Sequence, residues 1–306
     1  MTPEAELPTN YEMNDDIISE ADSLLGQYIP IHYHFQMLED DARMSGFKTA
    51  LDYLVPVGGK VLDMGSGTGV LSFMAAQKAA RVYGVERQPE LVECARQLLE
   101  DNGCADKVEL VLADARDYLP PEPVDVVVCE MLHSALLREK QLEVIQSFKD
   151  RYAKKFGATM PKFIPEATIL GVEPLFADFS FQGYRAPISF FEDPGSLSRR
   201  YQSLGDAKLY CMLEYQSEEM PKRISFDGTL TVGVDGCFNA LRFITKSLLA
   251  INLEQESSVD WMNMNLILPI KTAIDAKPGD QFHVLFSYDA GGDIQALKHS
   301  IEVVKL

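Results

Sequence analysis

The stretch VLDMGSGTGVLS (residues 61–72) constrains the fold more than any other. An apolar run enters a turn with glycines at 65, 67 and 69, and a helical pattern follows at once. Lacking a Cβ, glycine lets the backbone turn tightly and lets a ligand approach it closely. The alternation then continues. KVLDMG (60–65), RVYGVE (81–86), KVELVLADA (107–115) and VDVVVCE (124–130) are valine-rich strand candidates. Between them, VLSFMAAQKAA and PELVECARQLLEDNG read as helices. In the second, Leu91, Ala95, Leu98 and Leu99 share a face, Pro89 suits a first turn and Gly103 a stop. Strands and helices in this order predict a parallel sheet covered on both faces.

After residue 160 the pattern changes. FIPEATILGVEPL, AKLYCMLEYQ, ISFDGTLTVGVDG, ALRFITKSLLAINL, MNLILPIKTAI, QFHVLFSY and HSIEVVKL are strand candidates, some separated by turns such as KPGD and AGGD. This half reads as an antiparallel β-barrel or sandwich. The expected organisation is a helical N-terminal segment over 1–50, a Rossmann-like α/β domain over 51–162 and the β domain over 163–306. SFQGYRAPISFFEDPGSLSRRYQSL (180–204) fits neither half and reads as an arm, or as a loop closed on its own barrel.

Charge narrows the choice of partners. The 306 residues carry a formal net charge of −18. Nucleic-acid binders gain most of their affinity by neutralising phosphates with Lys and Arg, so a nucleic-acid partner is not expected, whereas a cationic substrate would be drawn in. No apolar run is long enough to span a membrane, and the acidic N-terminus lacks the features of a signal peptide. The five cysteines are scattered without a CxxC, which argues against zinc or a disulfide framework and suits a cytoplasmic location.

The glycine turn departs from the dinucleotide fingerprint, because position 70 is Val70 where G-x-G-x-x-G needs glycine. The fuller pattern, Asp63, Gly65, Gly67 and Gly69, resembles motif I of the class I methyltransferases that use S-adenosylmethionine. Glu86 ends the second strand, where an acid can accept from both ribose hydroxyls. Asp114 and Ala115, in ADARD at the end of the third strand, stand where that family contacts the adenine. The resemblance implies S-adenosylmethionine as cofactor; NAD is the alternative.

The fourth strand ends in CEMLHSALLRE (129–139), with Glu130 and Glu139 nine residues apart. This resembles the double-glutamate loop of the protein arginine methyltransferases. The chemistry suits it: a guanidinium is planar and permanently charged, and carboxylates can grip it bidentately. The two glutamates are therefore the expected catalytic pair, holding and polarising the guanidinium with no metal required. The resemblance extends along the chain. HFQMLEDDARMSGF (34–47) is similar to the helix before motif I, which assigns Arg43 to the cofactor carboxylate and Met37 to the sulfonium side of the substrate pocket. Tyr28 matches a tyrosine of the N-terminal flap. VDWMNMNLILP is similar to the Thr-His-Trp loop, with Trp261 at the tryptophan.

There are departures. Asp260 replaces the loop histidine that pairs with an acid of the flap, His133 replaces a glycine, and Met131 a tryptophan. His133 is read as a loop residue that narrows the acceptor channel, with an acid–base role as the alternative. The implied activity is N-methylation of arginine, free or within a protein or peptide. Methylation of another small molecule, and a catalytically silent cofactor-binding subunit, remain alternatives. The 180–204 stretch lies where this family inserts a dimerisation arm, which implies a homodimer.

Overall fold

The computed structural model describes residues 29–195, 198 and 200–306, so Tyr28 lies outside the described residues. Strands β1 (Lys60–Met64), β2 (Arg81–Glu86), β3 (Val108–Leu112), β4 (Val126–Cys129) and β5 (Lys162–Ile164) form one sheet in the order β3-β2-β1-β4-β5, and every pairing is parallel. All four residues of β4 are buried, which is why its sequence shows no alternation. The first two helices, α1 (Ile31–Glu39) and α2 (Asp41–Leu54), precede the sheet. Helices α3 (Val70–Ala76), α4 (Pro89–Asp101) and α5 (Gln141–Phe156) lie between its strands. Helix α4 buries Leu91, Val92, Ala95 and Leu99. Leu98, expected on that face, is exposed.

The single helix expected over 34–47 is broken at Asp40. Its carboxylate accepts the Arg43 N–H at 2.9 Å and starts α2 as an N-cap. Helix α2 runs through residue 50, where a boundary was expected. It buries Phe47, Ala50, Leu51 and Leu54 and packs on α3 and on two strands of the β half.

That half is antiparallel throughout. It comprises β6 (Ala167–Ala177), β7 (Ser180–Phe181), β8 (Tyr184–Arg185), β9 (Phe190–Glu192), β10 (Tyr201–Ser203), β11 (Lys208–Glu214), β12 (Arg223–Thr231), β13 (Gly236–Asn252), β14 (Ser257–Met262), β15 (Asn265–Ala276), β16 (Gln281–Asp289) and β17 (Glu302–Lys305). A large sheet runs β10-β6-β13-β15-β9, with β11 on β6 and β14 on β13, and a second runs β12-β16-β17. Aromatic rings fill the space they enclose. Phe286 stands 5.1 Å from Phe243, 5.2 Å from Tyr210 and 5.4 Å from Phe226 between ring centroids. Such pairs add about 0.5–1.5 kcal/mol beyond burial. The strand expected over HSIEVVKL begins instead in helix α6 (Ile294–Ser300), and only β17 is extended.

The 180–204 segment is largely built into this barrel. Strand β9 adds to the edge of β15, with Phe191 opposite Leu266, and β10 pairs with β6. Arg242 of β13 anchors both ends. Its guanidinium donates to Glu192 at 2.6 and 2.8 Å and to Glu173, and it lies 5.9 Å from the Tyr201 ring. What projects is the β7–β8 hairpin and its approach, where Phe181, Tyr184 and Ile188 are exposed.

Candidate active site

A cavity of about 430 Å³ opens beyond the carboxyl ends of β1, β2, β3 and β4. This is where ligands sit in open α/β sheets. Its floor is the glycine turn. Gly65, Gly67 and Gly69 all have left-handed backbones, at φ 77°, 53° and 81°. A Cβ on Gly67 would stand 3.0 Å from the His34 ring, and one on Gly65 3.2 Å from Met131. Gly69 serves packing instead, because its Cα faces Ala95 and Leu99 of α4. Neither Gly69 nor Asp63 is on the cavity wall. Asp63 lies beneath the turn, where it accepts from Ser72 Oγ at 2.7 Å. Burial pushes its carboxyl up to about 7.

Glu86 organises the turn. Its carboxylate accepts the N–H groups of Gly67 (3.1 Å), Arg87 (2.8 Å) and Gln88 (2.9 Å) and lines the cavity. Asp114 and Ala115 line it as well, but the Asp114 carboxylate is gripped by Arg116, at 2.7 and 3.0 Å, which holds it below the usual carboxylate range. Helix α1 closes another side with His34 and Met37, one turn apart. Sequence reasoning singled out Met37 but not His34. The i, i+3 spacing was the available signal. Among the described residues, His34 Nε2 and Ser66 Oγ are enclosed here without a hydrogen-bond partner. Buried polar atoms are ordinarily bonded, so both suit a polar ligand.

The double-glutamate loop forms the opposite wall, with Glu130, Met131, His133 and Glu139 on it. Its backbone is unusual: Ala135, Leu136 and Arg138 are left-handed, at φ 57°, 54° and 63°. Such conformations cost of order 1–3 kcal/mol each and persist only where surroundings hold them. The barrel does so. Thr245 Oγ1 accepts the Ala135 N–H at 2.7 Å, Ser134 Oγ donates to Met264 O at 2.5 Å, and Arg138 N–H donates to Gly292 O at 2.9 Å. A buried chain runs from Met131 N–H to Gln141 Oε1 (2.9 Å), then from Gln141 Nε2 to Tyr215 OH (2.9 Å), which meets Thr168.

The two glutamates differ. Glu130 is bonded by the Arg43 guanidinium, yet burial still holds its carboxyl above the ordinary value. Burial, reinforced by the Glu130 charge, pushes Glu139 up to about 8. Among the described residues the two acids thus face one cavity with Arg43 bonded to Glu130 and the Arg43 and Arg138 charges acting on Glu139, and two carboxyls so placed favour a further cation beside them. His133 is kept neutral, its value pulled down to about 4 by burial, and its ring meets Phe191 edge-on at 5.4 Å. Phe191 comes from β9, distant in sequence, and no local pattern marked it.

Trp261, expected on a loop, lies on β14, where its indole N–H donates to Asp40 Oδ2 at 3.1 Å. Arg43 stands 5.4 Å from its ring. Asp260, in place of the family's histidine, pairs with Lys246 at 2.5 Å. Among the described residues no cluster of three His, Cys, Asp or Glu side chains is arranged to hold a metal ion.

Comparisons with known proteins agree with this geometry. Residues 61–154 match a methyltransferase domain model. Over 269 residues the chain is 30% identical to an uncharacterized protein of Methanothermobacter thermautotrophicus, covering 88% of this chain and 97% of that protein. It is 31% identical over 168 residues to protein arginine N-methyltransferase 2 of Xenopus tropicalis, a match that spans 51% of this chain and 39% of that protein. Its fold superposes on a chain of the Trypanosoma brucei PRMT1 enzyme–prozyme complex with AdoHcy at a TM-score of 0.67 and 17% identity, covering 90% and 98% of the two chains. These matches give residues 61–154 a methyltransferase domain, and give the chain as a whole the fold of the solved protein arginine methyltransferase structures.

Proposed function

We propose that this protein methylates a guanidino nitrogen of arginine, using S-adenosylmethionine. The observation that carries this reading is the pair Glu130 and Glu139 on one wall of the cavity beside Arg43. The residues suit the cofactor: the glycine turn makes room for it, Glu86 suits its ribose, and Arg43, with the unpartnered His34 and Ser66, suits its polar amino-acid end. When bound, the cofactor supplies an electrophilic methyl group.

The chain's own groups do the rest. Glu130 and Glu139 hold the planar cation by charge-assisted hydrogen bonds and fix one nitrogen toward the methyl. Their charge draws the guanidinium's positive charge away from that nitrogen. Glu139, whose affinity for protons is raised, takes the proton lost after transfer. Phe191, Trp261 and Met264 give the site apolar surface for the aliphatic stem.

The β7–β8 hairpin, with Phe181, Tyr184 and Ile188 exposed, supports self-association through this part of the 180–204 segment, as a homodimer. Sedimentation as a monomer at micromolar concentration would refute that part. Among the described residues no helix is long and apolar enough to cross a membrane. The free state of all five cysteines favours a cytoplasmic setting.

The deciding experiment offers methyl-labelled S-adenosylmethionine separately to free arginine, arginine-rich peptides and mixed proteins, with mass spectrometry of the product. Label on a guanidino nitrogen supports the reading and identifies the form of the acceptor. Label on a non-guanidine metabolite overturns it.

A further inference from the structure

Asp260 has left the role that the family's loop histidine fills, since it pairs with Lys246 on the outer side of β14. The neighbouring residue points the other way, as alternation along a strand requires. Trp261 is buried, and its indole N–H reaches Asp40 Oδ2 at 3.1 Å. The other oxygen of Asp40 caps α2 at the Arg43 N–H, 2.9 Å away. The guanidinium of Arg43 then lies 5.4 Å from the centre of the Trp261 ring and is bonded to Glu130. One unbroken set of contacts therefore joins a barrel strand to the start of α2, and the start of α2 to a glutamate of the candidate active site.

We propose that Trp261 is a positioning residue: its N–H latches the start of α2 to the barrel through Asp40, and its ring holds Arg43 at the orientation that places Glu130. The inference rests on the reading of Glu130 as an acceptor-binding carboxylate, and it adds what keeps that carboxylate in place. An arginine side chain has many rotamers, and fixing one by stacking and by a capped helix start removes the freedom that would let Glu130 drift with it. An indole N–H also has no titration near neutral pH, so this latch keeps its donor at every working pH, which an imidazole would not.

The chain contains one tryptophan, so its fluorescence reports on this position alone. Two measurements test the proposal. First, S-adenosylhomocysteine is titrated into the intact protein, with binding followed independently by calorimetry. A change in Trp261 emission that tracks binding is expected, because the ligand's carboxylate and Trp261 share Arg43. Calorimetric binding without any change in emission overturns the coupling while leaving the proposed activity untouched. Second, Trp261→Phe keeps the ring and removes the N–H, and Asp40→Asn keeps the cap and weakens the latch. Each is expected to lower kcat about tenfold without lowering the thermal midpoint by more than a few degrees. The double variant is expected to be no worse than the worse single one, because both break one contact. Losses that multiply, or kcat values within twofold of the parent, overturn the proposal. Absence of guanidino methylation in the parent protein would sink the proposed function instead, and the emission titration would still decide the coupling.

Discussion

The hydroxyl of Thr245, on the long barrel strand β13, accepts the backbone N–H of Ala135 at 2.7 Å, inside the loop that carries both glutamates. Ala135 is left-handed, and both Ala135 and Thr245 are fully buried. Thr245→Val keeps the shape and removes the acceptor. A buried N–H left unpaired costs about 1–3 kcal/mol. The variant is expected to lose that much stability in denaturant titration, and kcat is expected to fall about tenfold as the loop relaxes. Parent-like kcat would mean the loop holds its shape without the barrel.

Glu130→Gln and Glu139→Gln remove one charge each and keep the volume. Each is expected to lower kcat/KM for an arginine acceptor by about 100-fold or more, in the range seen when a preorganised electrostatic contact is lost. Binding of the cofactor, read by calorimetry, is expected to stay within about threefold for Glu139→Gln. It should shift more for Glu130→Gln, where Arg43 loses its partner.

The Glu139 carboxyl gives a pH dependence with a defined sign. Its folded value is about 8 against an ordinary 4.5. Between those two values the folded chain binds a proton that the unfolded chain has released. Stability due to this group therefore falls as pH rises from about 4.5 to 8 and is constant above. Glu139→Gln abolishes that slope, so its thermal midpoint should gain on the parent's steadily up to about pH 8. Activity moves the opposite way: the apparent KM for a guanidinium acceptor should fall as pH approaches 8, since the acceptor binds the ionised carboxylate. Parallel melting curves for the two proteins across this range would remove the titration from Glu139.

Much of this site was legible in the residues. The alternation over 60–130 was legible because parallel strands covered on both faces are apolar runs, and because the turn after β1 places glycine at its three left-handed positions, 65, 67 and 69. Short elements were not legible. Strand β9 has three residues, too few for any periodicity, yet it delivers Phe191 to His133. The break at Asp40 was missed because a capping aspartate inside DDAR looks like ordinary helix-surface charge. The Asp40–Trp261 and Gln141–Tyr215 bonds join residues far apart in the chain, and such pairings leave no local trace.

Gly67→Ala tests the turn. At φ 53° a Cβ is strained, and here it would meet the His34 ring at 3.0 Å. The left-handed backbone alone costs roughly 1–2 kcal/mol. Weaker cofactor binding, by about tenfold or more, is expected by calorimetry, with His34 displaced toward the space the ligand would use. Unchanged affinity would move the ligand off this turn.

Arg242→Ala leaves Glu173 and Glu192 buried without their cation. Breaking a buried pair in this way costs about 3–5 kcal/mol. The loss should appear in chemical denaturation, together with faster proteolysis near residue 193 as β9 leaves the edge of β15. A protein that resists the protease as the parent does would show that backbone pairing alone retains β9.

The three left-handed residues of the glutamate loop have a consequence for how the molecule can be divided. A fragment ending at β5 would keep the glycine turn and both carboxylates. It would lack Thr245, Met264 and Gly292, the splints that hold the loop bent. Reattaching the missing half as a separate polypeptide, rather than supplying more cofactor, is what should bring such a fragment back to life.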